Sequence, residues 1–336
     1  TIPTLVKAIG IELSETNLET YIGDFANFGL TAYAKTEGFA VANSFKVEWS
    51  INSNVVATLT QTDSEANGSY CLLVFTGELG SATVTAKLSN ILNGQVVDSF
   101  EETFTVIVNK APIVRYTFDN GEIKNTGTNQ DVNGRITTIN SDNTAILDTP
   151  DAEVDYVNGA DGTQNSALQL SNIRNGGNHF TISGLDLGTG DFTIKVKINI
   201  RQLTSKTDSS NYLFGIGNIK DAESGFFNIA YKKNGSKNQI KLRANGQTYW
   251  CGYAPVGEWA EFTLVREGNT LSLYINPEVN SEGIKVTEVT LSSTEALALS
   301  NYDIGFSSNV GCQNPGDWPT YYDDIMIFDY AVHPAQ

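Results

Sequence analysis

The sequence is short of positive charge, of sulfur, of histidine and of long apolar runs. Its 336 residues carry 21 Lys and Arg against 38 Asp and Glu, a formal net charge of −17. Phosphate backbones and anionic membrane surfaces are held by clustered Lys and Arg, so neither suits such a chain. The longest apolar runs, such as Cys71 to Phe75, fall far short of the about 20 residues a membrane-spanning helix needs. Thr1-Ile2-Pro3-Thr4-Leu5 has neither the basic segment nor the apolar stretch of a signal peptide. Three cysteines cannot build a disulfide framework. Cys71 shares parity with Leu73 and Phe75 and reads as a buried free thiol, while Cys251 and Cys312 are a candidate pair. His179 and His333 stand alone, which removes the usual zinc spacings.

Helical periodicity is nearly absent too. What is present is alternation: short apolar-polar runs bounded by Gly, Asn and Asp recur along the whole chain, the pattern of β-sandwiches. The expected fold class is therefore all-β. Pro112 lacks an N–H and breaks the ladder between Phe104–Val108 and Ile113–Phe118, which places a boundary there. Two domains are expected, at residues 1–110 and 111–336. Both are acidic: the first has five Lys and twelve acids, the remainder sixteen basic and twenty-six acidic residues. A composition rich in Thr, Asn, Ser and Gly and poor in Lys and Arg is that of an exported protein. The expected location is the cell surface or periplasm, with a lipid anchor in a segment outside this chain as one route of attachment.

In the first domain, VEWSINSNVVATLTQ (47–61) is followed by GSATVTAKLSN (80–90), with Ala82, Val84 and Ala86 inward and Trp49 in the core. With IELSETNLETYIGD (11–24), this resembles bacterial immunoglobulin-like modules, which implies a β-sandwich spacer. In the second domain, six segments occur in order: VRYTFDNGEIKNTG (114–127), NSALQLSN (165–172), GTGDFTIKVKINI (188–200), GEWAEFTLVREGNTLSLYIN (257–276), YDIGF (302–306) and YYDDIMIFDYAVHP (321–334). Together they resemble concanavalin A-like, laminin G-type jelly-roll domains of bacterial surface proteins. The resemblance covers 111–336, with Asn125, Leu170 and Val332 departing from the family pattern. It implies that the last segment returns beside the first and closes the sandwich. It also implies that Asp323 holds loop N–H groups and that Trp259 is a core residue.

The candidate chemistry follows from those placements. Calcium takes six to eight oxygens. Asp119 and Asn120, with Asp323 brought beside them, are the candidate metal ligands, for a structural calcium ion. Glycoside hydrolysis needs two carboxylates on one strand face. Glu258 and Glu261 point to opposite faces, Glu153 and Asp155 lie in a loop-like tract, and Asp323 and Asp324 alternate. A hydrolase or lyase is accordingly the weaker alternative, and the reading is of a protein that is not an enzyme.

A sugar site needs aromatic faces with amides and acids around them. Pairing across Asn245-Gly246 sets Lys241 opposite Trp250 and Leu242 opposite Tyr249, which puts Trp250, Lys241 and Arg243 on the face away from the core. CQNPGDWPTYYDD (312–324) offers Trp318, Tyr321 and Tyr322 for stacking and Gln313, Asn314 and Asp317 for hydroxyls. The expected function is non-catalytic carbohydrate binding, lectin-like, with a poly- or oligosaccharide as partner. The rival is an adhesin or assembly protein that binds another surface protein.

Overall fold

A computed structural model describes residues 6–38, 44–65, 68–139, 146–148, 154–170, 178–205, 207, 211–217, 227–244, 246–276, 285–291, 299, 302–307 and 319–334. The chain divides into two compact units, Thr1–Ala111 and Pro112–Gln336. Among the described residues there is no α-helix, and no helix long and apolar enough to cross a membrane.

The first unit has eight strands: β1 (Val6–Leu13), β2 (Asn17–Tyr21), β3 (Asn27–Gly38), β4 (Ser44–Ile51), β5 (Ala57–Glu65), β6 (Gly68–Phe75), β7 (Gly80–Leu92) and β8 (Gln95–Asn109). They form two four-stranded sheets, β1-β3-β6-β5 and β2-β8-β7-β4, with β2 parallel to β8. One sheet of first, second, fifth and fourth strands facing one of third, sixth and seventh is the immunoglobulin arrangement, here with the first strand split in two across both sheets. Leu30, Leu73, Val84, Phe104 and Val106 fill the space between. Trp49 is only half-buried: it packs at the edge of both core clusters and its indole N–H donates to Ser69 Oγ at 2.9 Å. Cys71 is a buried free thiol, as its parity predicts.

The second unit begins with β9 (Val114–Tyr116), a 3-10 turn at Asp119–Gly121, β10 (Asn133–Ile139), β11 (Ile146–Asp148), β12 (Asp155–Val157) and β13 (Ala167–Leu170). It continues with β14 (His179–Ser183), β15 (Phe192–Ile200), β16 (Asn211–Gly217), β17 (Phe227–Asn234), β18 (Lys237–Ala244), β19 (Gln247–Ala254) and β20 (Trp259–Glu267). The last are β21 (Thr270–Asn276), β22 (Lys285–Thr290), β23 (Asp303–Phe306) and β24 (Thr320–Phe328). A hairpin sheet runs β11-β10-β14-β23-β16-β17-β18-β19, and a closing sheet runs β12-β13-β24-β15-β20-β21-β22 with β9 also on β24. Period-2 alternation explains how the two sheets share one core. Phe180 and Ile182, Ile229 and Tyr231, and Ile240 and Leu242 turn inward from one sheet; Ile194, Val196 and Ile198, and Phe262 and Leu264, turn inward from the other.

Strand β24 is antiparallel to β13, β15 and β9, so the last strand lies beside the first strand of its unit. The Asp323-Asp324 pair sits on a bulge in it. Lys195 pairs with Met326 and Lys197 with Asp323, leaving one extra residue on β24. Asp324 takes a φ of 46° there, and its carboxylate accepts from Lys197 Nζ. A bulge re-aims side chains, which replaces the alternation expected for Asp323 and Asp324: both carboxylates are directed at the Lys197 side of the closing sheet, away from the core.

Candidate functional site

The expected sugar-site residues separate into three places. Lys241 pairs with Trp250, Leu242 with Tyr249 and Ala244 with Gln247, the register expected from the sequence, so Trp250, Lys241 and Arg243 do share the outer face of the hairpin sheet. Trp250 is 42% exposed, and Lys232 Nζ lies 3.9 Å from the centre of its ring. Tyr321 is on the outer face of the other sheet, 6.4 Å from Trp259, with the Arg201 guanidinium 4.7 Å over its ring. Tyr322 is no stacking residue. Its partners Leu168 and Ile198 are core residues, burial raises its hydroxyl well above the ordinary value, and its O–H donates to the Leu213 carbonyl at 2.7 Å. Trp318, Gln313, Asn314, Asp317 and Cys312 lie outside the described residues. Cys251 is a buried thiol whose Sγ donates to the Tyr249 carbonyl, and the candidate Cys251–Cys312 pairing lies outside the described residues. Trp259 is not in the core either. It follows the outward parity of Glu261 and Thr263 on β20, beside Tyr321.

Of the expected calcium ligands, Asp119 and Asp323 are engaged by protein groups. Asp119 is exposed and accepts from Thr117 Oγ1 at 2.7 Å, and Asn120 is exposed with a φ of 60°. Asp323, 5% exposed, accepts from the backbone N–H of Ala160 at 2.9 Å and of Asp324 at 2.7 Å. Its oxygens hold backbone N–H groups, including that of the loop residue Ala160. No group of three or more His, Cys, Asp or Glu able to hold a metal exists among the described residues.

A different constellation emerges on the hairpin sheet's outer face. Antiparallel partners point to the same side of a sheet, so the register gives a continuous row across seven strands. It runs Arg135, Thr181, Gly305, Gly215, Asn228, Arg243, Thr248. Beside it, Thr137 pairs with His179 at one end, and Tyr212, Ala230, Lys241 and Trp250 run together at the other. Two adjacent glycines leave the middle of the first row without side chains. At Gly215 a Cβ would come within 3.0 Å of both the Asn228 Cβ and the Phe227 carbonyl.

Although turned from the core, Thr137, His179, Thr181, Asn228 and Lys241 are all 4% exposed or less. Thr137 and Thr181 hydroxyls meet at 2.6 Å. His179 Nδ1 is 2.9 Å from the Ser307 carbonyl. A carbonyl only accepts, so Nδ1 carries the proton and Nε2 keeps a lone pair. Burial pushes this imidazole down to about 4, so it is neutral at ordinary pH. That Nε2 and the Asn228 Oδ1 are buried with no hydrogen-bond partner. Both are acceptors, three strands apart, or about 14 Å at the usual strand spacing.

Sequence reasoning passed over His179, Thr181 and Asn228 because no short motif surrounds them. The signal available was alternation inverted in meaning: HFTIS (179–183) and FNIAYKK (227–233) put His, Thr and Asn opposite Phe and Ile on strands both of whose faces are buried.

Residues 174–336 match the family model of the concanavalin A-like lectin/glucanases superfamily. No curated protein matches the chain. Among solved structures, the botulinum neurotoxin serotype D/C VPI 5993 binding domain is 13% identical with a TM-score of 0.46, over 66% of this chain and 50% of its own. This chain thus spans about half of that protein. A putative carbohydrate binding protein from Bacteroides ovatus is 11% identical over 96% of this chain and 82% of its own, TM-score 0.33. The Bacteroides ovatus xyloglucan PUL protein GH43B is 9% identical over 89% and 71%, TM-score 0.40. These partial overlaps carry no inference about ligand or activity.

Proposed function

We propose that the second unit, a concanavalin A-like domain, binds a saccharide without transforming it, on the outer face of the hairpin sheet. The first unit serves as a spacer in an exported protein. The observation that carries this reading is the pair of buried acceptors, His179 Nε2 and Asn228 Oδ1, without partners. Each such group costs about 1–3 kcal/mol when left unsatisfied in a folded protein. A polyhydroxylated ligand supplies O–H donors, and Trp250 at the edge of the same face offers an aromatic surface for a sugar ring.

Binding without catalysis fits the use of the carboxylates. Asp323 is occupied by two backbone N–H groups, Asp324 by Lys197, and Glu261 by Lys195 at 3.4 Å. All three lie on the opposite sheet from the unpartnered acceptors. A protein partner has its own supporting feature, the outer face of β3 and β6, where Tyr33, Tyr70 and Val74 are 50%, 39% and 38% exposed. It gives no account of the buried acceptors, so the saccharide reading stands first.

The test is a titration against a broad panel of poly- and oligosaccharides, followed by tryptophan fluorescence and calorimetry. His179→Ala, Asn228→Ala and Trp250→Ala are compared with the parent, and far-UV circular dichroism reports whether each variant folds. Removing one acceptor should weaken binding about ten-fold, the equivalent of roughly one net hydrogen bond. Saturable binding indifferent to all three substitutions would move the site off this face.

A further inference from the structure

The bulge in β24 assembles a cluster on the closing sheet that saccharide binding does not use. Lys197 of β15 has an acid across from it on each side: Asp323 on β24 and Glu261 on β20. Asp324, the extra residue of the bulge, completes the group, and its Oδ2 is in contact with Lys197 Nζ. The left-handed backbone of Asp324, at a φ of 46°, belongs to that arrangement. A non-glycine residue there costs energy that a regular strand position avoids. The 159–160 loop packs against the neighbouring acid, since a Cβ on Gly159 would fall 2.9 Å from Asp323 Oδ2. Ion pairs such as Lys35–Glu12 and Lys46–Glu48 stand exposed on the first unit with no such construction around them.

We propose that Lys197 and Asp324 condense to an amide, a covalent cross-link between β15 and the last strand, with Asp323 as the proton carrier. Nothing outside the chain is needed. The Lys197 Nζ lone pair forms a bond to Asp324 Cγ, one Cγ–O bond of Asp324 breaks, and that oxygen leaves as water. Of the protons on the ammonium, one stays on the amide nitrogen and the others depart with the oxygen, so atoms and charge balance and no electron is transferred.

Each party is placed for its part. Burial works against the charge on Lys197, while contact with Asp324 and the nearby Asp323 and Glu261 outweigh it and hold the ammonium at rest. The carboxylate that touches the ammonium is also its nearest base. A proton passed within the pair therefore frees the Nζ lone pair and makes Asp324 a carboxylic acid, whose hydroxyl is the better leaving group. Burial, then Asp324, raises Asp323 to about 7, so near neutral pH it both takes and gives a proton. Its two oxygens each accept one backbone N–H, which leaves a second lone pair on each. Holding amine and acyl carbon together makes the condensation intramolecular, which offsets the entropy that opposes it between free molecules. The bond ties together positions 127 residues apart and so restricts the unfolded chain.

Intact-mass spectrometry of the full chain, followed by peptide mapping, tests this. The parent should weigh less than its sequence by one water, and digestion should give a branched peptide that joins the Lys197 and Asp324 segments. Lys197→Arg and Asp324→Ala should each show the full mass of their sequences. Lys197→Arg, which keeps the charge, should also unfold at least about 5 °C below the parent. Asp323→Asn should cross-link more slowly, seen as a fraction of full-mass protein that shrinks on incubation. A parent at the full sequence mass would overturn the inference. So would a water loss that maps to a single linear peptide, which is the mark of a cyclised aspartate. An Asp323→Asn chain that cross-links as fast as the parent would overturn the role given to Asp323.

Discussion

Burial moves two single residues of the second unit in opposite directions, and both titrate over the same pH range. Asp323 is pushed up to about 7, first by burial and then by the neighbouring Asp324, against the pull of the Ala160 and Asp324 N–H groups and Lys197. Its ordinary value is 3.8. A carboxyl raised on folding contributes stability that is complete below that ordinary value and is lost as pH climbs through about 7. His179, pushed down to about 4 from 6.5 by burial, does the reverse: its contribution is complete above 6.5 and is lost as pH falls through about 4. The two slopes oppose each other in the parent protein. Asp323→Asn should therefore expose the falling arm at acid pH, and His179→Ala the falling arm toward neutrality. Thermal unfolding of the parent and both variants at several pH values between 4 and 7 checks this. Curves for Asp323→Asn that run parallel to the parent would show that the carboxyl is not raised. Ligand binding adds a second readout, because a protonated Nε2 can no longer accept: affinity in the parent should collapse as pH approaches about 4.

At the scale of elements, the strands hold register through a few side chains that act as surrogate backbone. β1 carries a bulge between Ala8 and Gly10 in its pairing with β3. Asn90 of β7, fully buried, accepts from the Ala8 N–H at 3.0 Å and donates to the Ala8 carbonyl at 2.8 Å, so one amide pairs with the strand as another strand would. Asn90→Ala would leave both backbone groups buried and unsatisfied, a loss of about 2–4 kcal/mol measurable by urea unfolding. A loss under about 0.5 kcal/mol, the range of surface substitutions, would show that water replaces the amide. Such clamps are invisible in sequence, since an Asn near a strand end also reads as a turn residue. What alternation does reveal is parity. It sets the β18–β19 hairpin face by face, because the turn fixes register and register fixes the side each residue takes. Parity failed where the count of residues between strands changed. The extra residue at Asp324 brought two carboxylates to one side, and the Trp259 side chain obeys its strand position rather than its size. Tyr322 is the third residue of β24, which begins at Thr320, so its strand position turns it into the core instead of offering it for stacking.

For the whole molecule, the order of the chain conflicts with the order of the sheet. In the second unit β24 is an interior strand, flanked by β13 and β9 on one side and β15 on the other, yet it is made last. Ile325 and Ile327 reach the shared core only when it docks, and Tyr116 and Val114 find their partners more than 200 residues along the chain. Contacts of such separation slow folding, since chain entropy is spent before they form. They also make the closing strand indispensable: without it β13 and β15 are exposed edges with unpaired N–H and C=O groups. The first unit has its own buried clusters, and every residue of the candidate face belongs to the second. A chain of residues 112–336 should therefore fold and keep the parent's saccharide affinity, whereas 112–318, cut before β24, should yield expanded, aggregating material without a cooperative unfolding transition. Calorimetric unfolding and the binding titration, run on both fragments, decide it. Should 112–336 fold and yet lose the ligand, part of the site would have to come from the first unit and the outer face of the hairpin sheet would not be sufficient.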